Sequence, residues 1–140
     1  MNESTSAVDK INQFNKNTLM ESLGIECIEL GKDFVVATMP VDHRTHQPMG
    51  LLHGGASAAL IETIGSMGSA AFVDLAKFAP VGLEINANHV AGVKSGMVRG
   101  EGKLIHAGKR THVWQVDIKD DASNKLICTG RLTVMLVPIG

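Results

Sequence analysis

Glu62 is the one acidic residue between Asp42 and Asp74, in the middle of a long apolar run. A carboxylate on a buried helix is paired, protonated or functional, because burying its charge alone is costly. Ser66 follows four residues later and shares its helical face, within reach of the carboxylate or of a water beside it. Upstream, Gly54-Gly55 stands where a polar loop turns into that helix. The first turn of a helix has unpaired N–H groups and the positive end of the dipole. Glycine lets a ligand approach that backbone, which makes a seat for a developing oxyanion. Taken alone, the glycine pair fits a tight turn, and a buried Glu can also be satisfied by a neighbour. The two features gain meaning jointly.

His53 precedes the glycine pair, and Gln47 lies in the loop before it. A lone histidine before a helix is often a cap or a core residue. Beside Gln47, Gly54 and Glu62 it reads as a polar member of a site, orienting water or a bound carbonyl. His43 and His46 lack helical metal spacing to His53, so no metal is expected. Nine residues separate His53 from Glu62, roughly 13 Å along one helix. A carbonyl held at Gly54 therefore does not easily meet Glu62 of the same chain. Two such helices side by side about a two-fold axis would solve this, with Gly65 and Gly68 admitting the partner helix.

Further on, Gly82-Leu83-Glu84-Ile85-Asn86-Ala87-Asn88-His89-Val90 is an unusually polar strand, fitting either a groove lining or a solvated sheet face. The stretch Leu104 to Arg110 ends a strand in a tight turn with two cations, Lys109 and Arg110. Free N–H groups beside Lys and Arg suit a phosphate, although exposed turn cations are common.

These residues need elements to hold them. Residues 1–16 read as an N-terminal tail, frayed or weakly helical, and 17–140 as a single domain. Asn17 to Leu23 predicts a short helix capped by Asn17 or Thr18 and ended by Gly24. Ile25 to Leu30 and Phe34 to Met39 alternate as a hairpin about Gly31-Lys32-Asp33. Ala56 to about Phe72 is long enough for a helix, apolar on most sides. Four strands follow, at 81–93, 96–106, 110–119 and 125–137, with turn residues between them. The expected fold class is α+β, an antiparallel sheet of about six strands packed on one long central helix.

Composition closes other routes. The chain has 140 residues, 13 Lys+Arg against 14 Asp+Glu, and a net charge of −1. That is one domain, with no basic stripe for nucleic acid. No apolar run approaches the ~20 residues of a bilayer span, and the polar N-terminus lacks a secretory h-region. Cys27 and Cys128 form no zinc pattern and read as buried thiols in a cytoplasmic protein. Aromatics are 4% of residues, so the core must be aliphatic.

Gln47, Leu51-Leu52-His53-Gly54-Gly55, Glu62, Ser66 and Val81-Gly82-Leu83-Glu84-Ile85-Asn86-Ala87-Asn88-His89 together resemble the hotdog-fold acyl-CoA thioesterases. The likeness runs from about Leu19 to Val137. It is to the phenylacetate/hydroxybenzoyl-CoA thioesterase type, and within it to the dihydroxynaphthoyl-CoA and enterobactin-proofreading thioesterases. The resemblance implies hydrolysis of acyl-CoA, in particular aryl-CoA, thioesters with no separate cofactor. Glu62 would be general base or nucleophile and the Gly54 N–H the oxyanion donor. Gln47 and His53 would orient the thioester, and Ser66 would steady Glu62 or its water. Gly82, the stretch His89, Val90, Ala91 and Gly92, and the stretch His106, Ala107, Gly108, Lys109, Arg110 and Thr111 would hold the CoA arm. Met67 would border the acyl pocket. The resemblance further implies a homodimer assembling into a homotetramer, with either CoA or an acyl carrier protein as thioester carrier. Two rivals stand beside it: a hydratase or dehydratase on acyl thioesters, and a non-enzymatic acyl-CoA sensor, for which the N-terminal segment is too short to bind DNA.

Overall fold

The computed structural model describes residues 3–140, with side chains from residue 7 onward. Its elements run α1 (Glu3–Phe14), α2 (Leu19–Leu23), β1 (Glu26–Leu30), β2 (Phe34–Pro40), α3 (Gly54–Phe72), β3 (Phe78–His89), β4 (Met97–Ala107), β5 (Thr111–Asp120) and β6 (Leu126–Pro138). The six strands form one antiparallel sheet in the order β1-β2-β4-β5-β6-β3. It curls against α3 in the α+β hotdog arrangement. Alternation sets the inner face: along β5, His112, Trp114, Val116 and Ile118 are all buried while their neighbours are half-buried. Leu60, Ile61 and Ile64 of α3 pack on them. The core is aliphatic around the single Trp114, and Phe14, Phe34 and Phe72 are all exposed.

Three expectations meet the structure. Of the two states expected for the N-terminal segment, residues 3–14 take the helical one as α1, and residues 1 and 2 lie outside the described range. Val8 and Ile11 of α1 pack against the core. The Asn12 side chain accepts from the Cys27 N–H at 2.9 Å and donates to the Cys27 carbonyl at 3.0 Å. One amide thus covers a peptide group of the edge strand β1, which would otherwise face water. Secondly, Thr18 holds the N-cap position of α2 without a side-chain cap bond, and Gly24 ends that helix at φ +74° as expected. Thirdly, Gly65 and Gly68 do not open α3 to a partner helix. A Cβ at Gly65 would run into Leu132, and one at Gly68 into the Trp114 indole. Both glycines let α3 sink onto its own sheet. From the other side, Gly100 and Gly102 of β4 receive Ile64.

Beyond α3 the chain enters β3 three residues earlier than the alternation suggests, and it leaves strand geometry after His89. β3 lies at the edge of the sheet opposite β1. Cys27 and Cys128 are buried and free. Burial pushes the Cys27 thiol up to about 11 and raises Cys128 as well. Among the described residues no helix is long and apolar enough to cross a membrane.

Candidate active site

The loop between β2 and α3 is built by its own polar groups. Thr45 is buried; its hydroxyl donates to the Pro40 carbonyl at 2.8 Å and accepts from the Asp42 N–H at 3.2 Å. Arg44 grips the Asp42 carboxylate, with Nη2 to Oδ2 at 2.7 Å, and holds it well below the usual carboxylate range. The Leu52 N–H donates to the Val93 carbonyl at 2.9 Å, tying the loop to the segment after β3.

This loop delivers His53 to the N-cap of α3. The His53 N–H donates to Thr45 O at 2.8 Å, and its Nδ1 accepts from the Gly55 N–H at 2.7 Å. A Cβ at Gly55 would lie 2.9 Å from that ring, so the second glycine makes room for the cap. The Ala56 and Ser57 N–H groups turn back to His53 O. Of the first-turn donors only the Gly54 N–H is then left without an acceptor among the described residues. His89 stands beside it: a Cβ at Gly54 would lie 2.8 Å from His89 Nε2. His89 thus borders the helix N-terminus. Gly92, in the segment after β3, faces the Leu51 side chain.

Gln47 is partly spent on the same loop. Its Oε1 accepts from the Met49 and Leu51 N–H groups, which leaves its amide NH2 as the group available to a ligand.

Glu62 belongs to a second cluster. Its carboxylate lies against the bare backbone of Gly82 on β3. Oε2 is the one buried side-chain polar atom without a hydrogen-bond partner among the described residues. Ser66, expected to steady Glu62 or its water, lies one turn on along α3 and makes no direct hydrogen bond to Glu62 Oε2. Gly82 pairs with Val134 of β6, which pairs with His112 of β5. The turn at 108–110 therefore lies at this end of the sheet. Its expected free N–H groups are reduced by one, because Gly108 N–H donates to Thr111 O at 2.8 Å. The His106 ring lies over Gly108, and Lys109 and Arg110 are exposed with no ion pair among the described residues. The described residues gather no cluster of three or more His, Cys, Asp or Glu fit for a metal.

The chain thus carries two separate clusters about 12 Å apart along α3: Gln47, His53, Gly54 and His89 in one, Glu62 and Gly82 in the other. Met67 joins neither. It is buried about 140° round the helix from Glu62, where the Asn15 amide reaches its sulfur at 3.7 Å. No local pattern signals that contact, nor the buried chain from Trp114 Nε1–H to Ser69 Oγ and on to His112 Nδ1.

Residues 49–127 match the thioesterase superfamily. The 1,4-dihydroxy-2-naphthoyl-CoA hydrolase of Escherichia coli K12 is 43% identical over 130 residues, covering 93% of this chain and 94% of that protein. The crystal structure of a glutamine-to-alanine variant of thioesterase PA1618 from Pseudomonas aeruginosa superposes with a TM-score of 0.91 at 44% identity, covering 94% of each chain. SAV0944 from Staphylococcus aureus, solved with a glutamate replaced by alanine, superposes at 0.84 with 45% identity, covering 86% of this chain and 99% of that one. SAV0944 was also solved with a glutamine replaced, and the two replaced residues stand the same number of positions apart as Gln47 and Glu62. By sequence and by fold, this chain belongs to the thioesterase superfamily and is a thioester hydrolase.

Proposed function

We propose that the protein is a cytoplasmic acyl-CoA thioesterase acting on aryl-CoA substrates at a site shared by two chains. The observation that carries this is the pair of unspent groups: a Glu62 oxygen buried without a partner, and a Gly54 N–H free at a helix N-terminus. The first can take a proton from water or attack the carbonyl; the second can hold the oxyanion that follows. In the base route, water oxygen adds to the thioester carbon as Glu62 accepts its proton. The tetrahedral intermediate then expels the CoA thiolate, which takes that proton back, and the free acid remains. In the nucleophile route a Glu62 oxygen adds to the thioester carbon and the C–S bond breaks, expelling the CoA thiolate and leaving a mixed anhydride; water then adds to the anhydride, the Glu62 carboxylate and the free acid separate, and the remaining proton goes to the thiolate.

Edge strand β3 supports a shared site. It spans twelve residues, with Val81, Leu83 and Ile85 exposed along it. A long apolar edge of this kind invites pairing with a second copy. An antiparallel pairing about the middle of β3 brings Gly82 of one chain toward the partner's His89. Because Glu62 lies at Gly82 and Gly54 at His89, that pairing brings the two clusters together as half-sites. Lys109 and Arg110 then serve the CoA phosphates, and dimers pair into a tetramer.

A hydratase needs a histidine beside the carboxylate to move protons on substrate carbons. His53 commits its Nδ1 to the Gly55 N–H, and enoyl-CoA hydration without thiol release would favour that chemistry over hydrolysis. Thiol release from benzoyl-CoA, short-chain and long-chain acyl-CoAs tests the reading. Turnover should be highest on an aryl substrate and fall at least a hundredfold in Glu62→Gln; wild-type turnover in that variant overturns it.

A further inference from the structure

Resting on that reading of Glu62, we infer that Gly82 is its positioning residue: the missing side chain at 82 is the space that seats the Glu62 carboxylate. Three glycines of this chain, Gly24, Gly50 and Gly96, have φ between +74° and +86° and need glycine for their backbone alone. Gly82 is not among them. It sits in a strand, paired with Val134, where any L-residue is conformationally allowed. What demands glycine there is a neighbour. A Cβ at 82 would meet Glu62 Oε2 far inside contact distance, and would lie 3.1 Å from Cδ and 3.2 Å from Oε1.

The carboxylate is the far end of a flexible side chain. Adding a methyl group at 82 therefore moves Glu62 before it moves the sheet. The seat also explains how an oxygen can be buried with no partner. Oε2 rests against backbone carrying no side chain, on a strand whose pairing shifts between Gly82 and Glu84. Glu62 is thus held in place by shape, and its lone pairs are not consumed by a donor. A displacement of about 1 Å in such a group costs on the order of a hundredfold in rate.

The test is a double-mutant cycle of Gly82→Ala with Glu62→Asp on the full-length protein. Gly82→Ala should lower kcat about a hundredfold with KM within about twofold, at unchanged oligomeric state by light scattering. Glu62→Asp withdraws the carboxylate by one methylene, so Gly82→Ala in that background should change kcat less than about threefold. The thermal midpoint should follow the same pattern, dropping for Gly82→Ala alone and not in the Glu62→Asp background. This reading stays available if the single variant assembles poorly. Additive losses in both kcat and midpoint overturn the inference. So does a raised KM at unchanged kcat, which makes Gly82 a substrate contact. Wild-type activity in Glu62→Gln would instead remove the reading of Glu62 itself.

Discussion

Ser69 Oγ and His112 Nδ1 are 2.8 Å apart beneath the C-terminal half of α3, and both residues are buried. The same Oγ accepts the Trp114 Nε1–H at 2.9 Å, so one hydroxyl joins both rings in the core. Burial lowers the His112 pKa, and the nearby His106 lowers it further. Phe72 packs edge-on against the ring, with centroids 5.0 Å apart.

The sign of the pH effect follows. The unfolded chain protonates His112 near pH 6.5 and the folded chain only below that. Between those two values the unfolded state binds more protons, so stability falls as pH drops through this window. The contribution is intact above about pH 6.5. Urea midpoints measured from pH 7.5 to pH 5 should decline in wild type and decline less in His112→Gln. Parallel curves would mean that His112 does not titrate on unfolding.

Ser69→Ala should be costly without touching either half-site. It strands the Trp114 N–H and the His112 Nδ1 in the core together. Each orphaned group costs about 1–3 kcal/mol. Chemical denaturation should show a loss in that range or above, with kcat changed less than the stability loss would suggest if the half-sites are independent of this network.

Gly68→Ala tests where α3 makes its close contact. Helix propensity alone favours the substitution by about 1 kcal/mol. The added Cβ, however, would fall 3.0 Å from Trp114 Cε2 and closer still to the outer ring atoms. Trp114 is fully buried and has nowhere to move. Overpacking of this kind costs about 1–3 kcal/mol, so the net change is destabilising. A raised thermal midpoint would place Gly68 against open space or an adaptable partner.

What could be read from the sequence divides along the range of the interactions. The first turn of α3 was legible because a cap, its glycines and their free N–H groups are neighbours in the chain. Glu62 stood out because nothing else near it was charged. The alternation over 110–119 marked the strand that carries His112, Trp114 and Val116. It could not supply Ser69, because that needs the rotation of α3 on the sheet. The same rotation decides which way Gly65 and Gly68 look, and the spacing alone assigned them to a partner helix. Asn12 was hidden for a related reason: its use appears only once β1 is known to be a sheet edge with a peptide group to cover. The helical spacing of Ser66 from Glu62 correctly gave a shared face, but a shared face is not a hydrogen bond.

His53 has a structural duty that can be separated from the chemical one proposed for it. Its Nδ1 caps α3 through the Gly55 N–H. His53→Ala should remove about 1 kcal/mol of stability together with activity. His53→Asn restores a short capping oxygen. The asparagine variant should therefore recover the thermal midpoint but not kcat. Recovery of both would reduce His53 to a cap.

Complementation between chains follows from the separation of the half-sites. In a dimer whose sites each combine Glu62 of one chain with Gly54 of the other, a Glu62→Gln chain and a His53→Ala chain are both inactive as homodimers. A heterodimer places both defects in one site and leaves the other site intact. Equimolar mixing with free exchange makes about half the dimers mixed, so about a quarter of all sites become wild type. Thiol release should rise to roughly that fraction of the wild-type rate as exchange proceeds. Exchange itself can be followed by native mass spectrometry. Leu83→Lys, placed on the exposed apolar edge of β3, should break the assembly and the activity together while the monomer stays folded, since its side chain supports no core contact. Exchange without any gain in rate would confine the whole site to one chain.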